Sequence, residues 1–174
     1  VVGWGIGPEL AQVARGMHQM AWRVPLMGSW TLSMRNFIDA AGSAGEGALL
    51  PQTFIQDAGS TAKNSFLLAY RRHFNTELIP SPMSAAQGYD GMHLLALALR
   101  QANTFDGDAI RKALENLEAR YQGVVTSYEK PFSTQDHEAI SANMMVIARV
   151  TAGRVDYAYR EDQQRSALLK VKGK

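Results

Sequence analysis

The 174-residue sequence contains no cysteine, so disulfides, thiolate nucleophiles and cysteine-based metal sites are excluded together. Long hydrophobic runs are missing as well. No stretch approaches the ~18 consecutive apolar residues that a membrane-spanning helix needs, and the opening Val1-Val2-Gly3 carries neither a basic leader nor a cleavage pattern. Nor is there an excess of one charge: Lys and Arg number 18 against 16 Asp and Glu, a formal +2, which is far from the basic footprint of a nucleic-acid binder. Histidine is scarce. His18, His73, His93 and His137 are the only four, and none lies three or four residues from another, so no single helix presents a paired metal face. The sequence has no Gly-x-Ser-x-Gly elbow, no internal repeat and no low-complexity segment.

What remains is material for a packed α/β fold. Hydrophobic residues make up 46% and charged residues 20% of the chain, enough for one or two cores and too little charge for disorder. The chain opens on β-prone Val1-Val2-Gly3-Trp4 and runs at once into Gly5-Ile6-Gly7-Pro8-Glu9, as if entered in mid-strand, which predicts a fragment of a longer protein. Glycines relax that turn, Pro8 suits the first helical position, and Glu9 complements the positive helix end. Leu10, Val13, Ala14, Met17, Met20 and Ala21 then recur at spacings of three and four, the stripe of an amphipathic helix. Val24-Pro25-Leu26-Met27-Gly28 is the next strand. It completes a β-α-β unit, which requires parallel pairing and a right-handed crossover.

Beyond Gly28, the helical spacing of Met34, Phe37 and Ile38 predicts a short helix, followed by a glycine-rich loop over 42–47. Residues 48–55 read as a strand, with Pro51 placing it at a sheet edge or making it a bridge between lobes. A polar linker leads to a helix over 61–74 with Phe66, Leu67, Tyr70 and Phe74 on one side. The rigid Ile79-Pro80-Ser81-Pro82 precedes a long amphipathic helix over 84–102, and residues 106–120 form another, capped by Asp106 or Asp108. Strands are expected at 123–128 and 144–150, with a polar loop over 131–139 between them. A hairpin then turns through Thr151-Ala152-Gly153-Arg154 into 155–159. The charged end carries a short helix at 166–169. The fold class is α/β, a mainly parallel sheet with flanking helices and a C-terminal β-hairpin.

Gly3-x-Gly5-x-Gly7 departs from the dinucleotide fingerprint, because Pro8 stands where its third glycine belongs. The turn instead lets backbone amides at a helix start face a cleft and meet an anionic group. Trp30 follows a strand directly, between Ser29 and Thr31, at the carboxyl end where open α/β sheets bind ligands; packing on the short helix and contact with a ligand are both open to it. Tyr89 and Asp90 pack and cap locally within the long helix, or line a cleft through the loop before it. The eight methionines serve as core filling.

The series Gly5-Ile6-Gly7-Pro8-Glu9-Leu10, Val24-Pro25-Leu26-Met27-Gly28-Ser29, Ala85-Ala86-Gln87-Gly88-Tyr89-Asp90 and Gly123-Val124-Val125-Thr126 resembles, in order and spacing, the C-terminal half of type I periplasmic solute-binding proteins. The resemblance is to the branched-chain amino acid group that serves ABC transporters, and it extends to about Tyr159. It implies two α/β lobes joined by crossovers around a cleft that closes on its ligand. Residues 1–51 would be part of the second (C-terminal) lobe, 52–132 part of the first (N-terminal) lobe, 133–160 returning strands of the second, and 161–174 a charged tail. The resemblance places cleft residues at Ile6, Gly7, Trp30, Thr31, Ser84 and Ala85.

Amino-acid-binding members commonly carry an acidic residue where Trp30 stands, to pair with the ligand ammonium. A buried ammonium with no partner costs several kcal/mol, so an aromatic or aliphatic carboxylate stacking on Trp30 competes with a branched-chain or other hydrophobic amino acid. The implied function is a non-enzymatic, periplasmic substrate-binding component that presents a small amino acid or organic acid to an ABC transporter permease. No cofactor, metal or nucleic acid enters this reading, and the signal peptide lies outside the chain given. Self-association is expected where the first lobe's opening strands have no counterpart. The alternatives are a ligand-sensing regulatory domain of the same fold and an α/β hydrolase, for which no convergent cluster of titratable residues is evident.

Overall fold

Pro8 at the head of an apolar-periodic run, with Glu9 in the first turn, starts the first helix, and the short β-prone stretches on either side form a parallel pair. In the computed structural model, which describes residues 1–57, 59–166 and 172, these are β1 (Val2–Gly3), α1 (Gly7–Gln19) and β2 (Met27–Gly28). A 3-10 turn at Trp30–Ser33 leads into α2 (Arg35–Ala41), and a second at Gly42–Gly45 into β3 (Leu49–Gln52). Then come α3 (Thr61–Phe74), α4 (Pro82–Ala102), α5 (Gly107–Glu115) and the short strands β4 (Tyr121–Gln122) and β5 (Ser127–Tyr128). A 3-10 turn at Ala142–Met144, β6 (Val146–Thr151), β7 (Arg154–Tyr157) and α6 (Arg160–Ser166) complete the order.

The main sheet runs β1-β2-β3-β6-β7. Val2 pairs with Met27 and Met27 with Leu49 in parallel, whereas Leu50 pairs with Ala148 and Val150 with Val155 antiparallel. This is the expected α/β sheet closed by a C-terminal hairpin. The hairpin turn places Ala152 and Gly153 at φ 50° and 70°, the left-handed pair that matches the twist of two adjacent strands. Leu10, Ala11, Ala14 and Met17 of α1 pack with Leu32 and Phe37 in the same core as Leu50, Ala148 and Val150 of the sheet. Two further cores both draw on α4: Ala86 joins Phe54, Phe66, Ile79 and Val124, and Leu94 and Ala98 join Ala113, Leu117 and Tyr128.

Several expectations need correction. Pro51 lies in a central strand of the sheet, not an edge one. Leu49 N donates toward β2, to the Leu26 carbonyl at 2.9 Å. Two residues on, the Pro51 nitrogen faces the same side beyond the end of that pairing, so its missing N–H costs no ladder bond. The long helix starts at Pro82, not Ser84, because a proline in the first turn loses no helical hydrogen bond. Its open faces carry apolar residues too, with Met92 66% exposed, so the expected amphipathic division is weak. The next helix does start behind Asp106, whose carboxylate accepts the Ala109 N–H, but it ends at Glu115, not Arg120. Gln101 of α4 explains the stop: its amide donates to the Asn116 carbonyl at 3.0 Å and accepts the Glu118 N–H at 3.1 Å, drawing the chain off the helical path. The helix expected at 166–169 falls beyond Ser166 outside the described residues.

The strand expected at 123–128 is instead the turn and one arm of the β4–β5 hairpin, with Tyr121 opposite Tyr128. The reason lies in α4. Asp90, 1% exposed, caps no residue of its own helix; its carboxylate accepts Val124 N–H and Val125 N–H, both at 2.8 Å, and the Tyr128 hydroxyl at 3.0 Å. Tyr121 adds a longer contact at 3.4 Å. Gly123 permits the approach, since a Cβ there would sit 2.5 Å from Asp90 Oδ2 and 2.6 Å from the Tyr128 ring. Burial pushes the Asp90 carboxyl above its usual range, and the two amide hydrogen bonds pull it back. Truncation to Asp90→Ala strands these donors, each costing ~1–3 kcal/mol when buried and unpaired. It is therefore expected to lower unfolding free energy by about 3 kcal/mol or more in urea titrations, with Asp90→Asn, which keeps one acceptor, falling in between.

Candidate functional site

Because β1, β2 and β3 are parallel, the segments that follow them emerge at one end of the sheet, the end at which open α/β folds hold ligands. The loop after β1 and the loop after β2 are tied to each other there. Thr31 Oγ1 donates to the Gly5 carbonyl at 2.7 Å, and Ser29 Oγ lies 2.6 Å from Thr31 Oγ1 and 3.3 Å from the same carbonyl. A hydroxyl has one proton to give. Thr31 spends its own on Gly5, so Ser29 supplies the proton of the short contact. Gly7 is buried at the start of α1, where a Cβ would overlap the Asn36 amide and come within 3.1 Å of Phe37 N; only glycine lets α1 lie this close to α2.

The backbone of Trp30 is equally fixed. Its carbonyl accepts Ser33 Oγ at 2.7 Å and the Gln52 side-chain amide at 3.3 Å. The indole is left 37% exposed, and Ile6 beside Gly7 is 59% exposed. At this end a firmly held backbone therefore presents two apolar side chains to solvent. Ile6 is the N-cap of α1 and supplies no side-chain acceptor, so the first-turn amides are uncapped, with Glu9 the one acid of that turn.

Ile6, Gly7, Trp30 and Thr31 are thus gathered at the strand ends, although Thr31 serves as a strut, with its hydroxyl committed. Ser84 and Ala85 lie in the first turn of α4. The Ser84 hydroxyl is engaged by Ser81 at 2.8 Å, and Ala85 packs against the core of Phe54, Phe66 and Val124. The residues of α4 and β3 that do meet escaped the sequence reading: the Gln87 amide donates to Thr53 Oγ1 at 2.9 Å, and Gln52 is 1% exposed. Their only signal is a polar residue amid apolar neighbours, which marks a buried partner without saying which.

The segments 4–7, 29–34, 51–56 and 83–88 contain no charged residue. Among the described residues no group of three or more His, Asp or Glu could hold a metal ion. The other buried acid is Glu115, whose carboxylate meets Arg111 at 2.8 Å and His137 at 3.2 Å. The Arg111 hydrogen bond holds its carboxyl below the usual glutamate range. A paired, ionised acid of this kind stabilises α5 and offers no poised proton.

A parallel strand end bordered by a helix N-terminus and floored by uncharged, hydrogen-bonded loops has the features of a small-molecule binding fold. The family can then be stated: the chain belongs to the periplasmic binding proteins, whose family model matches residues 1–154. No curated protein matches it. Among solved structures, the leucine-binding protein LivK of Thermotoga maritima shares 21% identity, with a TM-score of 0.76 over 91% of this chain and 43% of its own. A type 1 periplasmic binding protein of Bordetella pertussis shares 25% identity with a TM-score of 0.75, over 90% of this chain and 45% of its own. An ABC transporter solute-binding protein of R. palustris in complex with benzoate shares 16%, with a TM-score of 0.68, over 91% and 41%. The chain therefore spans less than half the length of these neighbours. Among the described residues no helix is long and apolar enough to cross a membrane.

The strut predicts its own test. Thr31→Val removes the hydroxyl that joins the two loops and is expected to cost ~1–2 kcal/mol of stability. Faster amide exchange at Ile6 and Gly7 than at the β6–β7 hairpin would locate that loss at the strand ends; uniform loss across the chain would refute the strut.

Proposed function

We propose that this chain is part of the substrate-binding component of an ABC transporter, and that its solute is a small carboxylate with an apolar or aromatic body. The observation that carries the reading is Trp30, an exposed indole on a fixed backbone at a strand end where the neighbouring loops hold no acidic side chain. A carboxylate suits the open first turn of α1, and a flat apolar body suits Trp30 and Ile6. An α-amino acid would bring an ammonium that finds carbonyls and hydroxyls on these loops but no carboxylate to balance its charge. The benzoate complex of one neighbour and the leucine binding of another show that the fold accommodates both kinds of ligand in other proteins.

In this reading residues 1–51 and 133–160 belong to one lobe and 52–132 to the other. The Arg35 N–H and the Pro80 carbonyl join them at 2.9 Å, the cleft closes by rotation about the crossings, and the protein works outside the cytoplasm with a permease as partner. No covalent step is involved.

The indole N–H resonances of Trp4, Trp22 and Trp30 report on the site separately. Titration with benzoate is expected to shift Trp30 saturably and to raise the melting temperature, whereas leucine and isoleucine at equal concentration do neither; Trp30→Ala removes the benzoate response. A Trp30 shift produced by leucine and not by benzoate would overturn the assignment of a carboxylate without an ammonium. Silence of Trp30 toward all three would overturn the site.

A further inference from the structure

The opposite end of the sheet also carries a cavity. It has a volume of about 660 Å³ and is bounded by the end of α1, the segment entering β2 and the start of β3, whereas the candidate cleft residues follow β1 and β2. Its size falls within the usual ~300–1,000 Å³ of small-molecule sites. The floor is apolar, with Met17 and Leu26 both 7% exposed and Ala44 beside them. Trp22 stands in the wall, 51% exposed. The chain turns out of α1 through Ala21 at φ 53°, a left-handed conformation that glycine adopts more readily, and Trp22 N then donates to the Met17 carbonyl at 2.9 Å. This exit carries Trp22 and Arg23 to the cavity wall.

Two arginines and one acid border that wall. Arg23, Arg149 and His18 all line it, and neither arginine has an ion pair or side-chain hydrogen bond among the described residues. Arg149 stands directly opposite Asp156 of β7 in the strand register, yet no bridge forms between them; Asp156 accepts the Tyr157 N–H instead. The cavity's one acid, Glu46, is turned to the hairpin, where its two oxygens accept Ala152 N–H at 2.8 Å and Gly153 N–H at 3.0 Å. Two guanidiniums without partners above an apolar floor and an indole match one chemistry, an anionic head on a flat apolar body.

We propose that this cavity is a second ligand site, separate from the strand-end cleft, for a small amphipathic anion: an aromatic carboxylate, sulfonate or phosphate held by Arg23 and Arg149, with its ring against Trp22. The site does not depend on the transport reading, because it uses none of the residues assigned to the cleft.

The test uses 2-naphthalenesulfonate and this chain, read at the three indole N–H resonances. Trp22 is expected to shift saturably while Trp4 stays still, and the paired substitution Arg23→Gln with Arg149→Gln to weaken binding by about tenfold or more. 2-Naphthylmethylammonium, of the same shape and opposite charge, is expected to leave Trp22 unmoved. The site is overturned if Trp22 does not respond, if the double variant binds as before, if the cation binds equally well, or if the shift is confined to Trp30, which would put the anion in the cleft. Both arginines are exposed, and an unchanged spectrum elsewhere certifies the fold. Should the double variant unfold, Arg23→Gln alone, outside every strand and helix, decides by the same criterion.

Discussion

A single buried carboxylate organises the helical half of the described chain. Asp90 sits in the interior of α4 and receives two backbone amides and two tyrosine hydroxyls from a segment more than thirty residues away. An acid buried without partners would be strongly disfavoured, and here the donors answer most of its acceptor capacity. The exchange runs in both directions. Val124 and Val125, at the middle of the turn that the Gly123 N–H closes onto the Thr126 carbonyl, would otherwise have unpaired N–H groups, and Tyr128 would bring a hydroxyl into the core of Leu94, Ala98 and Leu117 without an acceptor. The hydroxyls of Tyr121 and Tyr128 are in turn held protonated by burial and by the nearby carboxylate. A ladder of rings, from Tyr128 through Tyr121 and His93 to Tyr89 and Phe66, then links the third core to the second. One turn before Asp90, Gln87 reaches Thr53 at the end of β3. The acid that fixes the hairpin to α4 thereby also fixes the α4 register at the candidate site.

What is legible in the sequence follows from what is local. The helix over 61–74 has the bounds its apolar spacing predicts, and the β6–β7 hairpin follows from a turn whose Gly153 supports positive φ. Strand-end position alone is enough to put Ile6, Gly7, Trp30 and Thr31 together, because three parallel strands must release their loops at one end. The segment 121–128 is illegible for the opposite reason. Its composition is that of a strand, and only a carboxylate on a distant helix makes a turn of it. Gln52, Thr53 and Gln87 are hidden likewise, since a buried amide is recognisable only with its partner. Ser84 and Ala85 rest on resemblance; here Ser84 accepts a hydrogen bond from Ser81 and Ala85 packs partly buried against an apolar core.

The sheet topology adds a mechanical consequence. The chain leaves the sheet at Gln52 and returns at Val146, and these two residues are paired with each other across β3 and β6. Everything between them therefore hangs from two adjacent antiparallel passages. The return passage is stiffened from outside: α6 supplies Asp162 to accept the Ile147 N–H at 2.8 Å and Arg165 to reach the Met145 carbonyl at 2.6 Å. The outgoing passage has Gln52 clamped to the Pro51 and Trp30 carbonyls. In the proposed two-lobe reading, closure by rotation about such a pair would move the α4 end relative to Trp30 while sparing the sheet. Beyond the sheet, the direct ties across that line include the Arg35 N–H to the Pro80 carbonyl at 2.9 Å. Such a tie is one hydrogen bond, worth about 1 kcal/mol net, small enough for the contacts of the proposed ligand to outweigh.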